Sequence, residues 1–168
     1  MNIFFSAKLI IRKEMDQITD NIYLGDIDAA NINNLKKENI SKVLSITDNR
    51  APHYRKEDKI NHKIIKVADT LSINIIKHFG ECLRFIEGDD KILIHCKSGQ
   101  SRSATIVIAF IMWKQKLSFE EAFNLVNGKR KMANPNYGFI AQLKIFEKLL
   151  MDNEYDINKI NFSTIKII

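Results

Sequence analysis

Lys91-Ile92-Leu93-Ile94-His95-Cys96-Lys97-Ser98-Gly99-Gln100-Ser101-Arg102-Ser103 passes from an apolar strand through a short polar loop into the nearly all-apolar stretch 104–113, which reads as a buried helix. A loop between a strand and a helix turns several backbone N–H groups toward one centre, and the helix N-terminus adds partial positive charge at the same place. The pattern predicts an anion site that suits phosphate. Gly99 supplies the positive φ a tight loop requires, and Arg102 offers a planar fork for two phosphate oxygens. Cys96 stands where the helix terminus and Arg102 both favour a thiolate, which makes it the candidate nucleophile. An isolated cysteine would read as a core thiol; His95, Cys96, Gly99 and Arg102 in one register point instead to chemistry.

Upstream of this stretch, short runs rich in β-branched residues at 21–24, 42–47 and 63–67 read as strands, as does 91–95. The polar segment 48–61, with Pro52, His53, Arg55 and Lys56, reads as a surface loop expected to border the active site. Ile76, Phe79, Leu83 and Ile86 recur at helical spacing until Gly88 stops them. Downstream, Ser118 with Glu121 has the spacing of a capping box, followed by a stripe of Phe119, Ala122, Phe123 and Val126. A last helix follows Pro135, with Phe139, Leu143, Phe146 and Leu150 on one face. Alternating strands and helices predict an α/β sandwich.

The chain has 168 residues, enough for one core and little more. Hydrophobic residues at 45% and charged residues at 27% place it among globular rather than disordered sequences. A net charge of +6 and a pI near 9.3 favour anionic partners without choosing among phosphoprotein, phospholipid and nucleic acid. No interleaved aromatic and basic motif supports nucleic-acid binding. Two cysteines, Cys82 and Cys96, are too few for a secreted disulfide framework and suit a reducing interior. Helix-on-sheet packing would hold them roughly 10 Å apart, beyond the ~7 Å Cα limit for a disulfide, so Cys82 reads as core. The apolar start, residues 1–5, is interrupted by Lys8, Arg12 and Lys13 before a signal-peptide core develops. No run reaches the ~18 apolar residues of a membrane span. His53, His62 and His78 show no metal-ligand spacing, so neither metal nor cofactor is expected.

At the loop the sequence resembles the cysteine-based protein tyrosine phosphatases, whose signature His-Cys-x-x-Gly-x-x-Arg is matched at His95, Cys96, Gly99 and Arg102, followed by Ser103. More narrowly, Ser101-Arg102-Ser103 and the later Ala133-Asn134-Pro135-Asn136-Tyr137-Gly138-Phe139, with Gln142-Leu143, are similar to the small, atypical dual-specificity phosphatases. The resemblance covers about residues 18–150. It implies a single-domain, protein tyrosine phosphatase-like α/β fold, a central mostly parallel twisted sheet flanked by helices. With it come an N-terminal extension over 1–17, a catalytic domain over 18–151 and a C-terminal tail over 152–168.

The same resemblance implies a two-step reaction through a phosphocysteine, with Cys96, Lys97, Ser98, Gly99, Gln100, Ser101 and Arg102 forming the phosphate loop. Ile64-Ile65-Lys66-Val67-Ala68-Asp69 matches the family's acid at Asp69, with Asp58 in reserve. The competing reading, given less weight, is that Asp69 caps the next helix, since Asp69, Ser72 and Asn74 are all good capping residues. His95 would orient the loop, or be a plain strand-end residue. Ser103 would stabilise the departing thiolate, or merely start a helix. Asn134 and Asn136 would buttress the loop, or form an ordinary turn. Arg130, in the basic run Lys129-Arg130-Lys131, is the candidate contact to a second phosphate or acidic neighbour, against an ordinary solvated turn.

Phosphoproteins carrying phosphotyrosine and phosphoserine or phosphothreonine are the substrates this resemblance implies, in the cytoplasm, with the nucleus also open. Lys97 and Gln100 depart from the small or apolar residues of protein-directed members, which keeps a phosphoinositide or other phospholipid phosphatase as the alternative. A non-catalytic phosphoprotein-binding module is the third reading, disfavoured by the intact Cys96, Arg102 and Asp69 set. The oligomeric state and the purpose of both terminal segments are left open by the sequence.

Overall fold

The computed structural model describes residues 14–167. The N-terminal residues on which the secretion reading rests, and most of the expected 1–17 extension, lie outside the described residues. Five strands form one sheet: β1 Met15–Gln17, β2 Ile22–Gly25, β3 Lys42–Thr47, β4 Asn61–Lys66 and β5 Ile92–His95, in the order β1-β2-β5-β3-β4. β1 runs antiparallel to β2, and every other pairing is parallel. The expected central, mostly parallel sheet is therefore present, and β3 has the bounds read from sequence.

The strands alternate their side chains between two cores. Tyr23, Val43 and Leu93 point to one face, where Leu35 of α1 (Ile32–Glu38) covers them together with Ala29, Ala30 and Ile40. Ile22, Leu24, Leu44, Ile46, Ile92 and Ile94 point to the other. That face carries α2 (Phe79–Ile86), α3 (Arg102–Gln115), α4 (Phe119–Lys129) and α5 (Tyr137–Asp152). α3 is buried from Arg102 to Met112 because it packs against the sheet and against α2, α4 and α5 together. A helix enclosed on all sides needs no polar stripe, which explains the unbroken apolar run of its sequence.

Capping follows the sequence signals. Ser118 and Glu121 exchange backbone-to-side-chain bonds of 3.3 and 2.9 Å at the start of α4, and Asn136 accepts from Phe139 N at 3.0 Å at the start of α5. Cys82 lies wholly buried in α2, and both cysteines are free thiols; burial pushes the Cys82 thiol well up.

Two boundaries differ from expectation. β1 falls inside the segment assigned to the extension and closes one edge of the sheet, held by backbone pairing rather than by an apolar pattern. The segment after α5 is no loose tail: Ile157, Ile160 and Phe162 are buried on the main core, and Trp113 Nε1 donates to the Tyr155 carbonyl at 2.9 Å. Among the described residues no helix is long and apolar enough to cross a membrane.

Candidate active site

β5 delivers His95 and Cys96 to the centre of the sheet's C-terminal edge, and residues 96–101 turn the chain into α3. Cys96 is 1% exposed, and the hydroxyl of Ser103, the second residue of α3, points its proton at Sγ from 3.1 Å. Gly99 adopts a φ of 67°. A Cβ there would also lie 2.6 Å from Arg130 Nη2 and from the Gly25 carbonyl oxygen, so both backbone conformation and space require glycine.

Arg102 is 4% exposed. Its Nη1 is anchored, donating to Asp48 Oδ1 at 2.5 Å and to the Val67 carbonyl at 3.0 Å. Its Nε is buried and makes no hydrogen bond among the described residues; the carboxylate oxygen beside it, Asp69 Oδ2, is 3.8 Å away. An unmatched buried donor costs on the order of 1–3 kcal/mol. On a guanidinium beside Cys96's loop it is a donor that an anion can satisfy. Asp48 is a residue the sequence reading passed over inside its 48–61 loop. The Arg102 hydrogen bond holds the Asp48 carboxyl below the usual carboxylate range, so at neutral pH it anchors rather than donates a proton.

Asp69 stands by the Nε of Arg102, whereas Asp48 holds Nη1. Asp69 Oδ1 accepts from Ser101 Oγ at 2.7 Å and from Asn136 Nδ2 at 2.8 Å, and Ser101 Oγ in turn accepts from Asn136 N at 3.1 Å. These bonds leave Oδ2 as the oxygen facing Arg102. Asp69 caps no helix: Lys77 N donates to Asn74 Oδ1 ahead of α2, at 3.4 Å. The reserve residue, Asp58, accepts from Arg55 N at 3.0 Å and pairs with Arg55 in its own turn and with Lys36 on α1. Of the two asparagines, Asn136 brings its side chain to Asp69, whereas Asn134 meets the loop through its backbone N–H, 2.8 Å from the Gln100 carbonyl.

His95 is fully buried, with Nε2 2.6 Å from Ser45 Oγ and Nδ1 3.2 Å from the Cys96 carbonyl. Burial lowers its pKa to about 4, so the ring is neutral at physiological pH and supports the loop.

Arg130 requires a correction. It is 1% exposed and cannot reach a substrate from the surface: Nε donates to the Gly99 carbonyl at 2.9 Å, and Nη1 pairs with Asp16 Oδ2 of β1 at 2.9 Å. A loop that turns its N–H groups inward turns carbonyls outward, and these need a donor when covered by protein. Arg130 supplies it. Within the run Lys129-Arg130-Lys131 no sequence signal separates this buried cation from its solvated neighbours.

A cleft of about 290 Å³ opens over Cys96, lined by Ile27, Thr47, Asp48, Asn49, Arg50, His95 and Lys97. The 48–61 loop borders the site as expected, through Asp48, Asn49 and Arg50. A second cleft of about 330 Å³ holds Asp69, Ser101, Asn134 and Asn136, rimmed by the exposed Leu71 and Tyr137.

A thiol, a guanidinium and a glycine-turned loop at a strand–helix junction define a cysteine-based phosphate site. A family profile described as "Dual specificity phosphatase, catalytic domain" matches residues 22–149. Dual specificity protein phosphatase 1B of Arabidopsis thaliana is 37% identical over 146 residues, covering 84% of this chain and 86% of that protein. Dual specificity protein phosphatase 9 of Homo sapiens is 36% identical over 139 residues, 80% of this chain but 36% of its own length. The crystal structure of human tyrosine phosphatase-like serine/threonine/tyrosine-interacting protein superposes with a TM-score of 0.78 at 31% identity, covering 83% of this chain and 99% of that one. The chain belongs to the dual-specificity phosphatase family and is a cysteine-based protein phosphatase by class.

Proposed function

We propose that this protein hydrolyses phosphotyrosine and phosphoserine or phosphothreonine in phosphoproteins, through a phosphocysteine at Cys96. The observation that carries the reading is that one strand–helix turn holds both the Cys96 sulfur, which accepts from the Ser103 hydroxyl, and the buried Nε of Arg102, which has no hydrogen-bond partner among the described residues. Loop N–H groups and Arg102 hold the phosphate. The Cys96 thiolate attacks phosphorus as the ester oxygen departs, and that oxygen takes a proton from Asp69. Oδ1 of Asp69 is held by Ser101 and Asn136, which leaves Oδ2 to carry the proton. In the second step Asp69, now a carboxylate, takes a proton from water as it attacks the phosphocysteine. The sulfur leaves as thiolate toward the Ser103 hydroxyl, and inorganic phosphate is released. A reducing compartment such as the cytoplasm suits a nucleophile that must stay a free thiol.

Lys97 and Arg50 line the cleft over Cys96 and are both exposed, which favours a second reading. Two cations on the rim of a phosphate site also suit a phosphoinositide or other phospholipid head group. Turnover of p-nitrophenyl phosphate, followed by a comparison of phosphopeptides with phosphoinositides, tests both. Preference for phosphopeptides sustains the proposal, preference for head groups replaces it with the lipid reading, and no turnover by folded, reduced protein leaves a binding module.

A further inference from the structure

Ser45 places one hydroxyl between two imidazoles. Its Oγ is 2.6 Å from Nε2 of His95 on β5 and 2.8 Å from Nε2 of His62 on β4. The strand order produces this, because β3 lies between β4 and β5, with Ser45 paired to His95 and Val43 paired to His62. The chain then ends on the nucleophile, since Nδ1 of His95 faces the Cys96 carbonyl at 3.2 Å.

Every proton in this chain has one place. A carbonyl only accepts, so His95 Nδ1 carries hydrogen. His95 is neutral, so its Nε2 presents a lone pair and Ser45 must donate to it. Toward His62 the Ser45 oxygen then accepts, which puts hydrogen on His62 Nε2. The reversed chain, His95 Nε2–H to Ser45 to a bare His62 Nε2, would set a lone pair of His95 Nδ1 against the Cys96 oxygen.

We propose that His62 is a positioning residue for the nucleophile: donating to Ser45, it locks the His95 tautomer that holds the Cys96 carbonyl. The Cys96–Lys97 peptide is trans and planar, so a carbonyl held toward His95 turns the Lys97 N–H the opposite way, as the first donor of the loop. His62 is suited to this by its surroundings. The Tyr54 ring meets it edge-on at 5.0 Å, and burial together with the nearby His53 disfavours its charged form, so a neutral ring with a defined tautomer persists.

The kinetic half of the test rests on the phosphatase reading; the spectroscopic half does not. Nitrogen NMR of histidine-labelled full chain is expected to show His95 protonated on Nδ1 and His62 on Nε2. With p-nitrophenyl phosphate, His62→Leu is expected to lower kcat about fivefold to tenfold, the scale of one lost hydrogen bond, with KM changed by less than about twofold. His62→Gln, whose amide can still donate to Ser45, restores kcat to within about twofold of wild type, while Ser45→Ala behaves like His62→Leu. A wild-type His62 protonated on Nδ1 alone overturns the proposal. So does a His62→Leu protein with unchanged kcat and unchanged His95 signals. If wild type turns nothing over, the phosphatase reading fails and the tautomers alone decide this one; if His62→Leu does not fold, the tautomers and His62→Gln decide it.

Discussion

Arg130 donates its Nε–H to the carbonyl of Gly99, 31 residues upstream, at 2.9 Å, and so ties the end of α4 to the phosphate loop. The same guanidinium pairs with Asp16 on β1, which makes the edge strand part of the loop's support. Replacing Arg130 with Met removes one ion-pair partner from the half-buried Asp16 carboxylate and the side-chain donor from the buried Gly99 carbonyl. The expected loss is about 2–4 kcal/mol of stability, read by denaturant unfolding, and a KM for p-nitrophenyl phosphate raised more than kcat is lowered. Arg130→Lys cannot reproduce the fork and is expected to recover less than half of that loss.

As the proposed acid, Asp69 is expected to matter in proportion to how badly the leaving oxygen needs a proton. Asp69→Asn is expected to slow hydrolysis of a phosphoserine peptide by about 100-fold or more, within the usual range for general acid catalysis, and p-nitrophenyl phosphate much less. Equal losses on both substrates would remove Asp69 from the role of acid.

Asp48 anchors Nη1 of Arg102, and its two obvious variants separate geometry from charge. Asp48→Asn keeps an acceptor at 2.5 Å reach and is expected to hold KM within about twofold; Asp48→Ala frees the guanidinium and is expected to raise KM about fivefold. Inhibition by inorganic phosphate should follow the same order.

His95 gives the protein an acid-sensitive core. Its folded pKa of about 4 lies below the ordinary histidine value, so the unfolded chain binds the proton more readily. The resulting stability is fully present above about pH 6.5 and is lost as pH falls from there toward 4, by up to about 3 kcal/mol. The lowered carboxyl of Asp48 adds a separate loss only at more acid pH, nearer the ordinary carboxylate range. Unfolding curves at pH 7 and pH 5 should differ accordingly, and His95→Asn should flatten the difference.

The sheet, α2–α5 and the phosphate loop were legible because their signals are local: β-branched runs, helical spacing, a capping box, and a signature whose residue types are fixed by phosphate chemistry. β1 was not, because Met15-Asp16-Gln17 has no alternation and is a strand only through its neighbour. The tail misled in the opposite sense, since Ile157 and Phe162 look like an irregular apolar end until the groove they fill exists. In the site, Cys96 and Arg102 lie in one motif, whereas Asp48, Ser45 and His62 reach it only through strand order. Arg130 could be placed in the right region by sequence but not on the right side of the loop, because burial of a cation depends on which carbonyls the fold turns toward it.

Direct detection of the phosphoryl group on sulfur tests the chemistry at Cys96. Asp69→Ala protein mixed with p-nitrophenyl phosphate, quenched in acid and digested, should carry one phosphoryl group on the peptide containing Cys96, since the good leaving group still departs while hydrolysis of the intermediate stalls. Cys96→Ser should show no such label and no turnover. Turnover that persists in Cys96→Ser, or an active protein that never carries phosphate on the Cys96 peptide, would contradict the mechanism outright.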